Sequence, residues 1–169
     1  MKNAGVQILV ISATAEAVGI LRDAKAMGYA PTFTGWGYIF DFVTTGARNL
    51  FDGVTGIRSY ATTDTPAFER YEARMQARGR GRTRTSDLEG FTAYGHALVL
   101  GEMLRRAGPN PTHASMVAGA ETIRGFESGV FPALTFGSGK HSGTDAVFPV
   151  VCCNSDYTWK SQGPARTAF

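Results

Sequence analysis

Cysteine is nearly absent from this chain. There are two in 169 residues, side by side at Cys152 and Cys153. So few cysteines exclude a disulfide-built scaffold, and one adjacent pair lacks the second pair that a zinc site needs. Neighbours on an extended strand point to opposite faces, so the two read as buried small hydrophobes rather than an ordinary disulfide. Histidine is scarce too. His96, His113 and His141 are far apart, and no pair has metal-ligand spacing. No apolar run is long enough to cross a bilayer. No Gly-x-Ser-x-Gly elbow or other nucleophile signature is present. Gly139-Lys140 has the look of a phosphate loop, but Leu134 stands where the first glycine belongs and His141 where Ser or Thr should follow the lysine. That segment reads as a turn. The net charge of +3 is small. The five arginines at 74, 78, 80, 82 and 84 have no interleaved aromatic residues, so they read as a solvated connector and not a nucleic-acid surface.

What remains is a globular pattern. Hydrophobic residues make up 43% and charged ones 18%, which suits one domain with a proper core. Residues 6–12 form a continuous apolar run, as in a strand buried on both faces of a parallel sheet. Lys2, this run and Ala13-Thr14-Ala15 mimic a short export signal. The run is at the short limit and carries Gln7, so it reads as a strand entering a helix, with no export signal in the chain.

Thr14 can cap that helix. Val18, Leu21, Ala24 and Met27 stripe it, and Gly28 sits at its C-cap. A second strand over 31–34 leads to Gly35-Trp36-Gly37. Residues 38–51 read as helical with Phe42, Val43 and Leu50 inward, and 54–60 as a third strand. Thr65-Pro66 starts a helix bearing Phe68, Tyr71 and Met75 and ending at Gly79. Ser86 and Glu89 form a capping box for a helix to about Ala107, and Asn110-Pro111 starts another. Two apolar runs around the turn at 137–143 follow, then a polar tail from Asn154 that is free to fray. Alternating strands and helices predict an α/β fold with a parallel sheet.

Ligands in such sheets sit beyond the C-terminal strand ends, beside helix N-termini. Two loops qualify: Ser12-Ala13-Thr14 after the first strand and Trp36-Gly37-Tyr38 after the second. Thr14 can offer a hydroxyl or simply cap its helix. Trp36 and Tyr38 can offer flat apolar surface to a ligand or simply pack the lobe.

The order of these pieces resembles one family. Residues 6–28 carry a strand and helix with Glu16, Ala17, Leu21, Arg22, Ala24 and Gly28. Phe51, Gly53, Val54 and Gly56 begin the third strand. Phe91 to Gly108 reads Phe-Thr-Ala-Tyr-x-x-Ala-Leu-x-Leu-x-Glu-x-Leu-Arg-Arg-Ala-Gly, and the closing stretch Leu134-Thr-Phe-Gly-x-Gly-x-His-Ser-Gly-x-Asp-Ala146 completes the series. Together they resemble the later half of type I periplasmic solute-binding proteins of the branched-chain amino-acid class. The resemblance implies a partial periplasmic-binding-protein-like fold. Residues 1–85 would be the later part of the second ligand-binding lobe, and 86–133 helices that pack on a first lobe. Residues 134–153 would be returning hinge strands, and 154–169 the polar tail.

It also implies a periplasmic location, an ABC-transporter permease as partner, no cofactor and no catalysis. A small ligand would be held by Ala13, Thr14, Trp36, Gly37 and Tyr38. Amino-acid binders of the family place an acidic residue in the second loop, and this chain has no carboxylate there until Asp41. An apolar or aromatic carboxylate therefore fits better than a free amino acid. The inner face of the 86–107 helix would lose its cover in a partial chain, so Phe91, Tyr94 and Leu98 are expected to be exposed and to drive self-association. The alternatives are a flavodoxin-like α/β enzyme, a non-functional truncated product, or a half-protein that pairs with another half.

Overall fold

The structure is a computed structural model that describes residues 1–13, 15–36, 48–80, 88–152 and 159–167. The chain divides into two units. The first holds residues 1–58 and 148–164, and the second 59–147 and 165–169.

The first unit is built on a sheet. Strand β1 (Ile8–Ile11) leads into helix α1 (Ala15–Ala26), and β2 (Thr32–Trp36) and β3 (Thr55–Arg58) follow. These three strands run parallel in the order β1-β2-β3. Strand β4 (Ala146–Val151) then pairs antiparallel with β3, and β5 (Lys160–Ser161) antiparallel with β4. The sheet is therefore mixed, with a parallel portion where the sequence placed one.

Alternation along the strands sorts side chains to two faces. Ile11 is buried with Ala17 and Leu21 of α1, Phe51, Val54, Val150, Cys152 and Trp159, and Leu9 and Phe33 pack against that core. Of the apolar stripe predicted for α1, Leu21 and Ala24 are buried and Val18 packs against the core, while Met27 is exposed; Ala17, outside that stripe, is buried as well. Gly28 ends the helix as its spacing predicted. It adopts φ +59, and the amides of Gly28 and Tyr29 donate to the carbonyls of Lys25 and Ala24.

Three expectations for this unit are corrected. The first concerns β1, which was read as buried on both faces. Ile8 is 62% and Val10 72% exposed, because α1 covers only the Leu9 and Ile11 side. The second concerns the tail, whose described residues 159–167 do not fray. Trp159 enters the core and β5 returns to the sheet. The third concerns Cys152. It is buried, as expected, but it is disulfide-bonded and not a free thiol. It lies just past the end of β4, where the strand-geometry argument no longer applies. The predicted helix over 38–51 lies outside the described residues up to 47. Its described end is a 3-10 turn, Arg48–Leu50.

The second unit is mainly helical. It contains α2 (Pro66–Gln76), α3 (Leu88–Ala107) and α4 (His113–Glu121), and β6 (Arg166–Thr167), which pairs with Ala146 and Val147 of β4. Pro66 occupies the first turn of α2, as predicted. Thr65 is its N-cap but makes no side-chain cap; its hydroxyl donates to the Thr62 carbonyl instead, at 2.9 Å. Helix α4 starts two residues beyond Pro111, because Thr112 and Ser115 form a reciprocal capping box. The capping residue predicted for α3, Ser86, lies outside the described residues.

The core of this unit is aromatic. Phe91 is fully buried, edge-on to Phe68 at 5.1 Å and tilted against Tyr71 at 5.6 Å. Tyr71 also meets Tyr94 at 5.4 Å. This corrects the expectation that Phe91, Tyr94 and Leu98 are left wet. Phe91 is covered by α2 from within the chain, and Tyr94 and Leu98 are partly buried. Among the described residues, the exposed large hydrophobic side chains of α3 are Leu100 and Leu104, on the other side of the helix.

Two glycines allow close approach. A Cβ on Gly95 would lie 2.7 Å from Val130 Cγ1 and 2.8 Å from Phe131, and one on Gly119 would lie 3.0 Å from the Ala107 nitrogen. Gly101, in the same helix as Gly95, faces open space. Gly95→Ala should therefore lower stability by about 1–3 kcal/mol through overpacking. Gly101→Ala should raise it by up to about 1 kcal/mol, because alanine is the better helix former. Calorimetric melting of the two variants checks the opposite signs.

An ion-pair cluster fixes the end of α3. Glu102 accepts from Arg105 at 2.8 Å and from Arg106 at 2.6 Å, and Arg106 also donates to the Thr122 carbonyl beyond α4. The hydrogen bonds from Arg105 first, and Arg106 second, lower the Glu102 carboxyl from 4.5 to about 2. A depressed carboxyl stabilises the fold above its unfolded value and loses that contribution as pH falls toward the folded one. Stability should thus be flat from neutral pH to about 5 in this respect and fall between about 4.5 and 2. Glu102→Gln should flatten that acid limb in melts taken across the range.

Candidate functional site

Parallel strands all end at the same side of a sheet, so the register locates the candidate loops. Ile11 pairs with Gly35 and Trp36 with Ile57. Ala13, two residues past β1, and Trp36, the last residue of β2, therefore lie at the C-terminal ends of neighbouring strands. Ala13 is half-buried and packs on the core of the first unit. Trp36 is 50% exposed. Thr14, Gly37 and Tyr38 lie outside the described residues, so only two of the five predicted positions have a described place. Helix α1 begins immediately after this point, at Ala15, and its N-terminal amides carry the positive end of the helix.

Sequence reading missed two residues here. Ile57 sits beside Trp36 across the β2–β3 pair and is 41% exposed. The two make an apolar cross-strand pair at the strand ends. Arg58, the last residue of β3, is 1% exposed, with its guanidinium 5.4 Å from the centre of the Trp159 ring. The alternation Thr55, Gly56, Ile57, Arg58 was available as a signal. It places Arg58 on the inward face with Gly56, a position for a buried charge and not a solvated one.

The glycine-lysine segment of the second unit is a turn. The amides of Gly137 and Lys140 bond to each other's carbonyls, at 3.1 and 2.9 Å, across Ser138-Gly139. Those amides are spent on the chain itself and not on a phosphate, and Lys140 Nζ pairs with Asp145. Among the described residues no group of three or more His, Cys, Asp or Glu side chains could hold a metal ion. Among the same residues, no helix is long and apolar enough to cross a membrane.

A parallel sheet with an α-helix after β1 and antiparallel strands returning beside β3 is a mixed-sheet α/β fold, which by itself fixes no function. The family described as "Periplasmic binding protein" matches residues 1–156, and the chain belongs to it. The fold is that of the type I periplasmic binding proteins. A branched chain amino acid ABC transporter protein from Thermus thermophilus, solved with bound valine, superposes with a TM-score of 0.76 at 19% identity. The match covers 99% of this chain and 47% of that one.

A fatty acid ABC transporter substrate-binding protein from Thermomonospora curvata gives 0.73 at 15% identity, over 99% and 45%. A solute binding protein from R. palustris, in complex with benzoate, gives 0.64 at 14% identity, over 98% and 45%. The chain thus spans about half the length of the solved structures it matches. Comparison with curated proteins finds no match.

Proposed function

We propose that this chain is a ligand-binding part of the solute-binding component of an ABC transporter, taking a small apolar or aromatic carboxylate and carrying out no catalysis. The observation that carries this reading is the half-exposed Trp36 at the C-terminal end of β2, beside Ala13 and the start of α1. An indole face gives a ring or alkyl chain flat contact, and the positive end of a helix favours a carboxylate. Thr14, Gly37 and Tyr38 complete the proposed contact set. The absence of an acidic residue after Trp36 until Asp41 leaves no partner for a ligand ammonium in that loop.

Solved proteins of this fold include one with bound valine, one in complex with benzoate and a fatty acid substrate-binding protein, so the fold itself accommodates both kinds of ligand. A periplasmic location and docking to a membrane permease belong to the same proposal. They follow from the family and not from a described surface.

Binding by one set of strand-end loops forfeits the contacts that closure by a second lobe would add, while ordering costs remain. The chain alone should therefore bind benzoate no tighter than about 1 mM, near -4 kcal/mol. Titration in nuclear magnetic resonance measures this, followed by the benzoate ring signals in Trp36→Ala and by the Trp36 indole signal in the unaltered chain. Benzoate should shift that signal more than leucine does, and Trp36→Ala should abolish saturable binding. Tighter binding of leucine, or an unchanged benzoate isotherm in Trp36→Ala, would contradict the proposal.

A further inference from the structure

The strand that closes the first unit's sheet leads directly into the chain's only sulfur pair. Cys152 follows β4 and is disulfide-bonded. The chain holds one other cysteine, Cys153, which is next in sequence and lies outside the described residues. A bond made by Cys152 within the chain can therefore reach only its immediate neighbour, through a small ring that includes the peptide between them.

Such a bond is not a staple. A disulfide stabilises a fold chiefly by closing a long loop of the unfolded chain, and one between neighbours closes almost none. Its effect is local. Neighbours on an extended strand point to opposite faces, so the two sulfurs cannot meet while a strand continues through both residues. Strand β4 ends at Val151. The Cys152 backbone is still held to the start of β3, donating to the Val54 carbonyl at 2.8 Å and accepting from the Gly53 amide at 2.7 Å. The ladder thus carries the chain up to the first sulfur-bearing residue of the pair.

Beyond the pair lies the tail. Strand β5 runs antiparallel to β4, with Val151 opposite Lys160 and Val150 opposite Ser161. The same register carried one residue further sets Cys152 opposite Trp159. Both are buried in one cluster with Phe51 and Val54. A free cysteine packs as a small hydrophobe, so that cluster also admits the reduced side chain.

We infer that Cys152 and Cys153 form a site of reversible oxidation, with an external disulfide as oxidant and an external dithiol as reductant, whose bonded form fixes the return of Trp159 and β5 onto β4. On oxidation two S–H bonds break and one S–S bond forms. The two protons and two electrons pass to the oxidant's disulfide, which is cleaved to two thiols by way of a mixed disulfide. Cys152 is 0% exposed, so an incoming thiolate has no path to its sulfur while Trp159 is in place. Reduction of the folded chain therefore has the Cys153 sulfur to attack. The inference does not depend on which ligand is bound.

The test uses the whole chain, equilibrated first with oxidised glutathione and then with dithiothreitol. After the first step the mass should be that of a monomer lighter by two hydrogens than the reduced chain, and iodoacetamide in denaturant should label no thiol. After the second step it should label both. In Trp36→Phe, where Trp159 is the remaining indole, dithiothreitol should shift the emission to the red. Iodide quenching should rise roughly twofold or more as the tail opens locally. Reoxidation should restore both signals. Cys153→Ser keeps the buried Cys152 and cannot form the bond. Combined with Trp36→Phe, it should show the reduced emission from the outset and ignore dithiothreitol, with a far-ultraviolet circular dichroism spectrum that retains the helices. Two labelled thiols or glutathione adducts after the first step, or a bond between two copies, would overturn the inference. So would a bond that dithiothreitol does not open in the folded chain, or Trp159 shielding that does not change when it opens.

Discussion

One-sided burial of the β1–β2–β3 sheet is the constraint on which the first unit depends. A parallel sheet is stable when apolar layers cover it. Here α1 supplies one layer through Ala17 and Leu21, and the chain closes the same core from its far end with Val150, Cys152 and Trp159. The amides and carbonyls at the edge of this core are used as well. Gly53 donates to the Cys152 carbonyl at 2.7 Å and Cys152 to that of Val54 at 2.8 Å. Residues nearly a hundred positions apart are thereby held in one sheet, and the C-terminal ends of β1 and β2 are fixed side by side. Ala13 and Trp36 inherit their placement from that core.

The second unit solves a different problem. Three helices cannot hydrogen-bond to one another through their backbones, so packing of side chains decides their arrangement. An aromatic quartet, Phe68, Tyr71, Phe91 and Tyr94, joins α2 to α3, and the Glu102–Arg106 pair with Thr122 joins α3 to the end of α4. Gly95 and Gly119 set how closely the neighbouring segments approach. Family resemblance alone suggested that Phe91 would be bare. The structure assigns it a partner from α2, because proline-initiated α2 presents Phe68 and Tyr71 three residues apart on one face.

Local chemistry was legible in the sequence wherever a single residue decides it. Gly28 and Gly79 ended helices by adopting positive φ, Pro66 opened α2, and the order of strands and helices gave the α/β class. Long-range pairing was not legible. Nothing in Trp159-Lys160-Ser161 announces that a polar-looking tail re-enters the core, since two-residue strands carry no periodicity. Exposure of Ile8 and Val10 was also hidden, because an apolar run reads as buried whether or not a covering layer is present. Of the candidate site, Ala13 and Trp36 were found from strand-end logic. Ile57 and Arg58 were missed because they become neighbours of Trp36 and Trp159 only through sheet register and the returning tail.

The chain has two tryptophans, and the account places them in opposite surroundings: Trp36 half-exposed on the open face, Trp159 5% exposed in the covered core. Iodide quenching of single-tryptophan variants tests this directly. With Trp159→Phe, the remaining Trp36 emission should be red-shifted and quench steeply. With Trp36→Phe, the remaining Trp159 emission should be blue-shifted and resist quenching. Equal shielding of both tryptophans, or the reverse order, would contradict a sheet covered on one side and closed by the C-terminal tail.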